Sequence, residues 1–310
     1  MATVSIIVPT FNDQRYVSDA LKSIFSQSYT DYEIIVVDGG STDGTLEVLK
    51  QQEGKITFFR QQGKGVSQAK NEAIGRSKGE YITFLDADDL WYPDKLKIQV
   101  DFLNAHPEYG FCSSDVDFFN KKGIMVKGAI SQEKKPRSGN VFDELLSNNF
   151  ISSATIFLRR ECFDKAGVFN EKNFYAEDTD MWLRIAKYFQ LGYIPRVLSK
   201  YRVHALARTQ QFDKHYASLE RIYGKLIKDD PKYFSKRKSL IGKAYYNLYR
   251  RWAYRYFEAK DYKSARKIYL KALKQKPFNC ICWKYTLATF LSKKMISRLR
   301  VVKARRRSVN

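Results

Sequence analysis

Residues Phe84 to Trp91 read FLDADDLW, three carboxylates (Asp86, Asp88 and Asp89) after an apolar run, YITFL, with the look of a buried strand. Like charges this close repel one another, so the segment expects a positive species. The i, i+2 spacing of Asp86 and Asp88 across the small Ala87 puts both side chains on one side of an extended segment. Hard oxygen ligands gathered in this way suit Mg2+ or Mn2+, ions that complete their shells with water and substrate phosphate. The competing reading is an acidic loop that caps a helix starting near Pro93, a role that suits Asp89.

The elements that must position these acids are legible as alternating patterns. TVSIIVP (3–9), YEIIVVD (32–38), ITFFR (56–60) and YITFLD (81–86) read as strands that are apolar on both faces. Helical stretches separate them: Val17, Ala20, Leu21 and Ile24 recur at helical spacing, a helix starts near Leu46, and VSQAKNEAIGRS (66–77) is a third. This alternation predicts βαβ units, and hence an α/β fold with a mostly parallel sheet flanked by helices. Ligands of such sheets bind at the carboxyl ends of the strands. Polar residues stand at those ends: Thr10 to Asn12, then Asp38, then Asp86 and Asp88. Beyond about residue 110 shorter strands are expected in GFCSSDVDFF, in SSATIFLR and around Tyr193 to Val197, with a helix at VFDELLSNN. AEDTDMWLRIAKYF (176–189) carries Met181, Trp182, Ile185, Ala186 and Phe189 on one helical stripe. GGSTDGT is not GxGxxG, and no GxxxxGK[ST] occurs, so neither a dinucleotide fold nor a P-loop is supported.

Charge divides the chain. Of the 310 residues, 1–210 hold 27 Lys and Arg against 27 Asp and Glu, whereas 211–310 hold 28 against 6, which is the whole net charge of +22. Two units are therefore expected, a neutral globular one over 1–210 and a basic one over 211–310 that meets something anionic. Apolar residues make up 44% and aromatics 15%, enough for a sizeable core. The start, MATVSIIVPTFND, lacks the charged opening of a signal peptide, and there is no apolar run of about 18 residues. The four cysteines (Cys112, Cys162, Cys280, Cys282) have no metal or redox spacing and read as free buried thiols, which with the missing leader makes a cytoplasmic chain the expectation.

Taken in order, IIVPTFN, VVDGGSTDGT, AKNEAI, FLDADD and AEDTDMWLR resemble the inverting family 2 nucleotide-sugar glycosyltransferases with their GT-A fold, over roughly residues 3–208. The resemblance implies a nucleotide-binding half over about 1–110 and an acceptor half over about 111–210. It implies that Pro9, Thr10 and Phe11 line a base pocket and that Asp38 accepts the imino N–H of uracil or thymine. It gives Asp86 to the ribose, Asp88 to a Mn2+ or Mg2+ bridging the diphosphate, and His204 in YRVH to the same metal. Asp178 becomes the base that takes the acceptor hydroxyl's proton. Lys70 stands where many members have Arg before the Asn, keeping the charge for the donor but not the bidentate geometry. Gly39 stands where an acid is common. Arg208 is expected to reach the diphosphate from a loop that orders over the donor, with Arg202 as its competitor. Glu177, Trp182 and Arg202 are expected as acceptor or supporting residues, with Asp180 beside them. The implied partners are a nucleotide-sugar donor, UDP- or dTDP-linked, and a glycan or lipid-linked acceptor. Rival readings are a sugar-phosphate nucleotidyltransferase, which lacks its Gly-rich basic loop here, and a non-catalytic adaptor, which the intact acids oppose.

Residues 214–292 read as helical throughout, punctuated by Pro231 and Pro277. Tyr262, Ala265, Tyr269, Ala272 and Pro277, after an aromatic-rich first helix, resemble a tetratricopeptide-like hairpin whose aromatics are core. Leu287, Leu291, Ile296, Leu299 and Val302 then form an apolar stripe among Lys and Arg. That combination suits an anionic membrane surface, which places the chain peripherally at the inner face of the cell membrane. Nucleic acid is disfavoured because no recognition motif accompanies the charge.

Overall fold

A computed structural model of the protein describes residues 3–204 and 211–291. Its strands are β1 (Val4–Thr10), β2 (Tyr32–Asp38), β3 (Thr57–Arg60), β4 (Tyr81–Phe84), β5 (Leu90–Trp91), β6 (Tyr109–Asn120), β7 (Gly123–Val126), β8 (Phe157–Arg159) and β9 (Gln190–Arg202). They join in one sheet of order β3-β2-β1-β4-β8-β6-β9-β5, with β7 paired to β6. The first four in this order are mutually parallel. β8 runs antiparallel between β4 and β6, β9 lies parallel to β6, and β5 is antiparallel to β9. The mixed, mostly parallel sheet with flanking helices is the architecture that the alternating pattern predicts.

Every residue of β1 is buried, which is why its β-branched run carries no alternation. Val4, Ile6 and Val8 pack with Val17, Ala20, Leu21 and Ile24 of the helix Val17–Phe25. Each fully buried aliphatic side chain of this kind contributes about 1.5–3 kcal/mol. The third helix of the pattern spans Val66–Arg76.

Four local expectations need correction. β6 and β9 are long, 12 and 13 residues, where short strands are expected from the sequence. Ser113, Ser114, Asp115 and Asp117 are buried inside β6, so its polarity misleads; Asp115 accepts the amides of Ile130 and Ser131 at 2.9 and 3.2 Å. Asp86 and Asp88 do not lie in an extended segment: the amide of Asp89 closes a turn on the carbonyl of Asp86 at 2.9 Å. Asp89 does not cap the helix Lys95–Ala105, which follows Asp94; its carboxylate accepts the Arg202 amide at 2.8 Å. The cysteines are free, but Cys280 is exposed rather than buried.

The chain divides into two compact units, one of residues up to 145 and from 149 onward through the sheet, the other of 146–148 with the region after 210. In the second, the helices Phe212–Asp229, Pro231–Ser235, Lys238–Glu258, Tyr262–Gln275 and Cys280–Ala288 follow one another. Asp261 caps Tyr262–Gln275 by accepting the Ser264 amide at 3.0 Å, and Asn279 caps the next helix through the Cys282 amide at 2.9 Å. Ala253, Ala265 and Ala272 have no exposed surface, so small residues lie where the hairpin's helices approach. Tyr269 stacks on Tyr285 at 5.8 Å, an aromatic core as the sequence implies.

Candidate active site

The loop after β1 is stitched to the loop after β2. Thr10 and Asp38, the last residues of these strands, stand in register. Asn12 adopts a left-handed conformation (φ 57°), which asparagine tolerates better than most residues. There its Oδ1 accepts the Thr42 amide at 2.8 Å, while its own amide donates to Ser41 Oγ at 2.9 Å. The Asp13 amide donates to Thr45 Oγ1 at 2.9 Å. Asp38 is wholly buried, and its carboxylate accepts the amides of Gly40 and Ser41 at 2.9 and 3.1 Å. Pro9 is buried in β1, whereas the Phe11 ring is 59% exposed. A Cβ on Gly39 would stand 3.2 Å from Phe11 Cβ and 3.3 Å from Cδ2. A side chain there would ask Phe11 to give by a few tenths of an ångström.

An acid the sequence reading passed over completes the cluster after β4. Asp13 accepts the Phe11 amide at 3.0 Å and Thr10 Oγ1 at 3.1 Å. Burial, with the nearby charges of Asp88 and Asp86 adding to it, raises its carboxyl to about 6 despite those bonds. Burial and the same two neighbours also push Asp89 well above the ordinary carboxylate range. The cue for Asp13 was present, since PTFND follows the first strand by the same rule as the other acids. His204 Nε2 lies 2.8 Å from Asp88 Oδ2, and its ring packs on Tyr16 at 4.9 Å. Arg202 holds the acidic turn from behind: its amide bonds Asp89 and its Nε donates to the Asp88 carbonyl at 2.7 Å. The guanidinium itself lies over the rings of Tyr16 and Phe119 at 4.8 and 4.6 Å.

Asp178 occupies the first turn of the helix Glu177–Ala186, where the helix dipole favours a carboxylate. Asp178 Oδ2 accepts Ser153 Oγ at 2.9 Å and Oδ1 accepts the Thr179 amide at 2.6 Å. Ser153 begins a 3-10 turn (Ser153–Thr155) fixed to the sheet from several sides. Trp91 Nε1 and Ser199 Oγ both donate to the Ala154 carbonyl, at 3.2 and 2.7 Å, and Gln99 donates to the Thr155 carbonyl at 2.8 Å. Nothing in the spacing of SSATIFLR signalled this role for Ser153. Just before the helix, Ala176 is left-handed (φ 60°), a strained conformation for a residue with a Cβ.

AKNEAI and AEDTD are physically joined. Lys70, 1% exposed, reaches Glu177 Oε1 at 3.4 Å and lies by the rings of Phe84 and Phe169 at 5.6 and 5.1 Å. The structure therefore places Lys70 as the buried counter-ion of Glu177. Asn71 donates to the Phe169 carbonyl and accepts the Phe169 amide, both at 2.9 Å. Trp182 is buried against Phe84 and Phe169, and Asp180 pairs with Arg184 at 3.1 Å, so both support the helix. Arg208 lies outside the described residues.

Among the described residues no three His, Cys, Asp or Glu side chains already converge as a metal cage. Carboxylate and imidazole are nevertheless side-chain types that suit a hard divalent ion. The charges of Asp86 and Asp88 add to the burial that raises Asp13, and an imidazole stands beside Asp88.

The family model for glycosyl transferase family 2 matches residues 5–167, more than half of the 310. The chain belongs to that family. Its similarity to an uncharacterized glycosyltransferase of Rickettsia typhi is 30% identity over 229 residues, 73% of this chain and 71% of that one. It spans only 29% to 36% of some longer rickettsial relatives. It is 29% identical over 204 residues to the Escherichia coli UDP-Glc:alpha-D-GlcNAc-diphosphoundecaprenol beta-1,3-glucosyltransferase WfgD, covering 64% of this chain and 77% of WfgD. Among solved structures, S. aureus TarS 1-349 in complex with UDP-GlcNAc superposes with a TM-score of 0.62 at 17% identity, covering 93% of this chain and 89% of that one. The mannosyltransferase PcManGT of Pyrobaculum calidifontis, in complex with GDP-Man and Mn2+, gives 0.61 at 21%, covering 97% and 79%. At such identities the superpositions show the fold, which is GT-A. This family 2 glycosyltransferase is thus an enzyme, and the adaptor reading loses its support. Among the described residues no helix is long and apolar enough to cross a membrane.

Proposed function

We propose that this enzyme transfers a sugar, with inversion, from a UDP- or dTDP-linked donor to a hydroxyl of a lipid-linked glycan at the inner face of the cell membrane. The observation that carries the reading is the acidic group at the carboxyl ends of β1 and β4, Asp13, Asp86 and Asp88, with His204 at 2.8 Å from Asp88. Such a concentration of like charge is costly unless a cation joins it. The names of WfgD and of the superposed structures, which mention UDP-Glc, UDP-GlcNAc and Mn2+, support a nucleotide-sugar donor and a metal.

In this reading Asp38, oriented by the Gly40 and Ser41 amides, receives the imino N–H of the base, with Pro9, Thr10 and Phe11 lining its pocket. Asp86 holds the ribose. Asp88 and His204 would hold a divalent ion, which would supply positive charge to offset that developing on the departing diphosphate. Arg208 assists at the diphosphate, and Arg202 keeps the Asp88 backbone in place. Asp178, held by Ser153 and the Thr179 amide, takes the proton of the attacking hydroxyl as that oxygen bonds to the anomeric carbon and the diphosphate leaves. Glu177, buried with Lys70, fixes the start of the helix that carries this base. Calorimetry with UDP and Mn2+ tests the reading: binding is expected, and Asp88→Ala is expected to abolish its dependence on metal. Metal-independent binding, unchanged in Asp88→Ala, would refute it.

A further inference from the structure

The second unit ends in a surface that the transfer reaction does not use. Phe278 is 95% exposed beside Pro277, and the helix Cys280–Ala288 buries Cys282 and Thr286 while presenting Ile281, Trp283 and Leu287 to solvent. Phe290 extends the patch one turn further, with the Arg266 guanidinium stacked on its ring at 3.5 Å. Trp283 Nε1 donates to the Pro277 carbonyl at 2.7 Å, which pins the indole at the surface near Phe278. Single exposed apolar residues are ordinary, but large ones gathered at Phe278, Ile281, Trp283, Leu287 and Phe290 mark a contact surface.

Charge selects the partner. Exposed Lys274, Lys276 and Lys284 interleave with these side chains. After Asp261 the chain contains 15 Lys and Arg and no Asp or Glu. The same surface of a second copy would bring the same cations and, after Asp261, no acid to meet them. Bulky apolar residues with lysines between them match a bilayer interface, where rings enter the headgroup region and ammonium groups meet lipid phosphates.

We infer that the surface formed by Phe278, Ile281, Trp283, Leu287 and Phe290 with its lysines docks this enzyme on an anionic lipid bilayer. The idea rests on the membrane placement proposed above and assigns it to residues within the described structure. Of the apolar stripe read in the sequence, Ile296, Leu299 and Val302 lie outside the described residues.

The full chain, mixed with vesicles of phosphatidylglycerol or of phosphatidylcholine and floated through sucrose, provides the test. Binding is expected to the anionic vesicles and not to the neutral ones, and to weaken as salt rises. Replacing Phe278→Ser, Ile281→Ser and Leu287→Ser together should lower partitioning about tenfold or more. All three side chains are exposed, and an unchanged far-ultraviolet circular dichroism spectrum shows that the fold is kept. Cations beyond Leu291 are common to both proteins, so the ratio isolates the apolar surface. Equal flotation of the two proteins overturns the inference, as does a wild-type chain that stays with the soluble fraction. An oligomer lost in the triple variant also overturns it, since the surface then serves a second copy. No arm depends on nucleotide binding, so a failed donor site would leave this result readable.

Discussion

Two groups of carboxylates in the catalytic unit are held by opposite means. Asp13, Asp86, Asp88 and Asp89 crowd together, and burial with mutual repulsion raises Asp13 to about 6 and Asp89 well above its ordinary range. Asp178 and Glu177 are each given partners by the protein: Ser153 and the Thr179 amide for one, the Lys70 ammonium for the other. The first group has partners as well, among them the Phe11 amide for Asp13, His204 for Asp88 and the Arg202 amide for Asp89. Its like charges still add to the rise of Asp13 and Asp89. The second is balanced in the folded chain, as suits a base whose position must be fixed before the substrate arrives.

Breaking the second group should have the largest effects. Asp178→Asn is expected to lower turnover on the order of a thousandfold while donor affinity by calorimetry stays unchanged. Near-normal turnover would remove Asp178 from the mechanism. Lys70→Met leaves Glu177 buried without its counter-ion and should cost about 3 kcal/mol in urea unfolding, whereas a surface pair would cost less than about 1.

The crowded group should respond in the other direction. Asp13 rises from 3.8 to about 6 on folding, so between those pH values the folded state keeps a proton that the unfolded chain has released. The contribution of this group is fully present below about pH 4 and is lost as pH rises through about 6. Asp13→Asn removes the loss and should stabilise the metal-free protein at pH 7 by on the order of 2 kcal/mol, read as a smaller decline in melting temperature from pH 4 to 7. Added Mn2+ should shrink the difference between the two proteins. An equal pH dependence in both would mean that Asp13 does not share in the repulsion.

Smaller effects sharpen the contrast. Ser153→Ala should reduce turnover about tenfold with little change in donor KM, because one bond to a charged group is lost and the Thr179 amide remains. A change confined to KM would place Ser153 with the donor. Ala176→Gly relieves the left-handed backbone before the base and should raise stability by about 1 kcal/mol. A loss of stability would show that the Ala176 side chain, which is buried, contributes more than the backbone strain costs.

The parallel half of the sheet was legible because β1, β2 and β4 are continuous apolar runs whose polar ends mark the binding edge. The later strands were not, because Ser113, Ser114, Asp115 and Asp117 are buried, with Asp115 and Asp117 accepting the amides of Ile130 and Gly128. Periodicity reports which face meets water, and it fails where buried polar groups find internal partners. Lys70 shows a similar limit. Its charge was plain in AKNEAI, but only the packing of Phe84, Phe169 and Glu177 about it shows where that charge goes.

By itself the sequence determined the family, the α/β alternation, the acids at the strand ends and the division of charge near residue 210, because each is a property of local residue order. Tertiary structure alone decided that Asp13 joins Asp86 and Asp88, that Ser153 steadies Asp178, and that Arg202 braces the acidic turn. Those contacts link residues up to 114 positions apart. Their formation depends on sheet order and loop closure, which no spacing along the chain encodes directly.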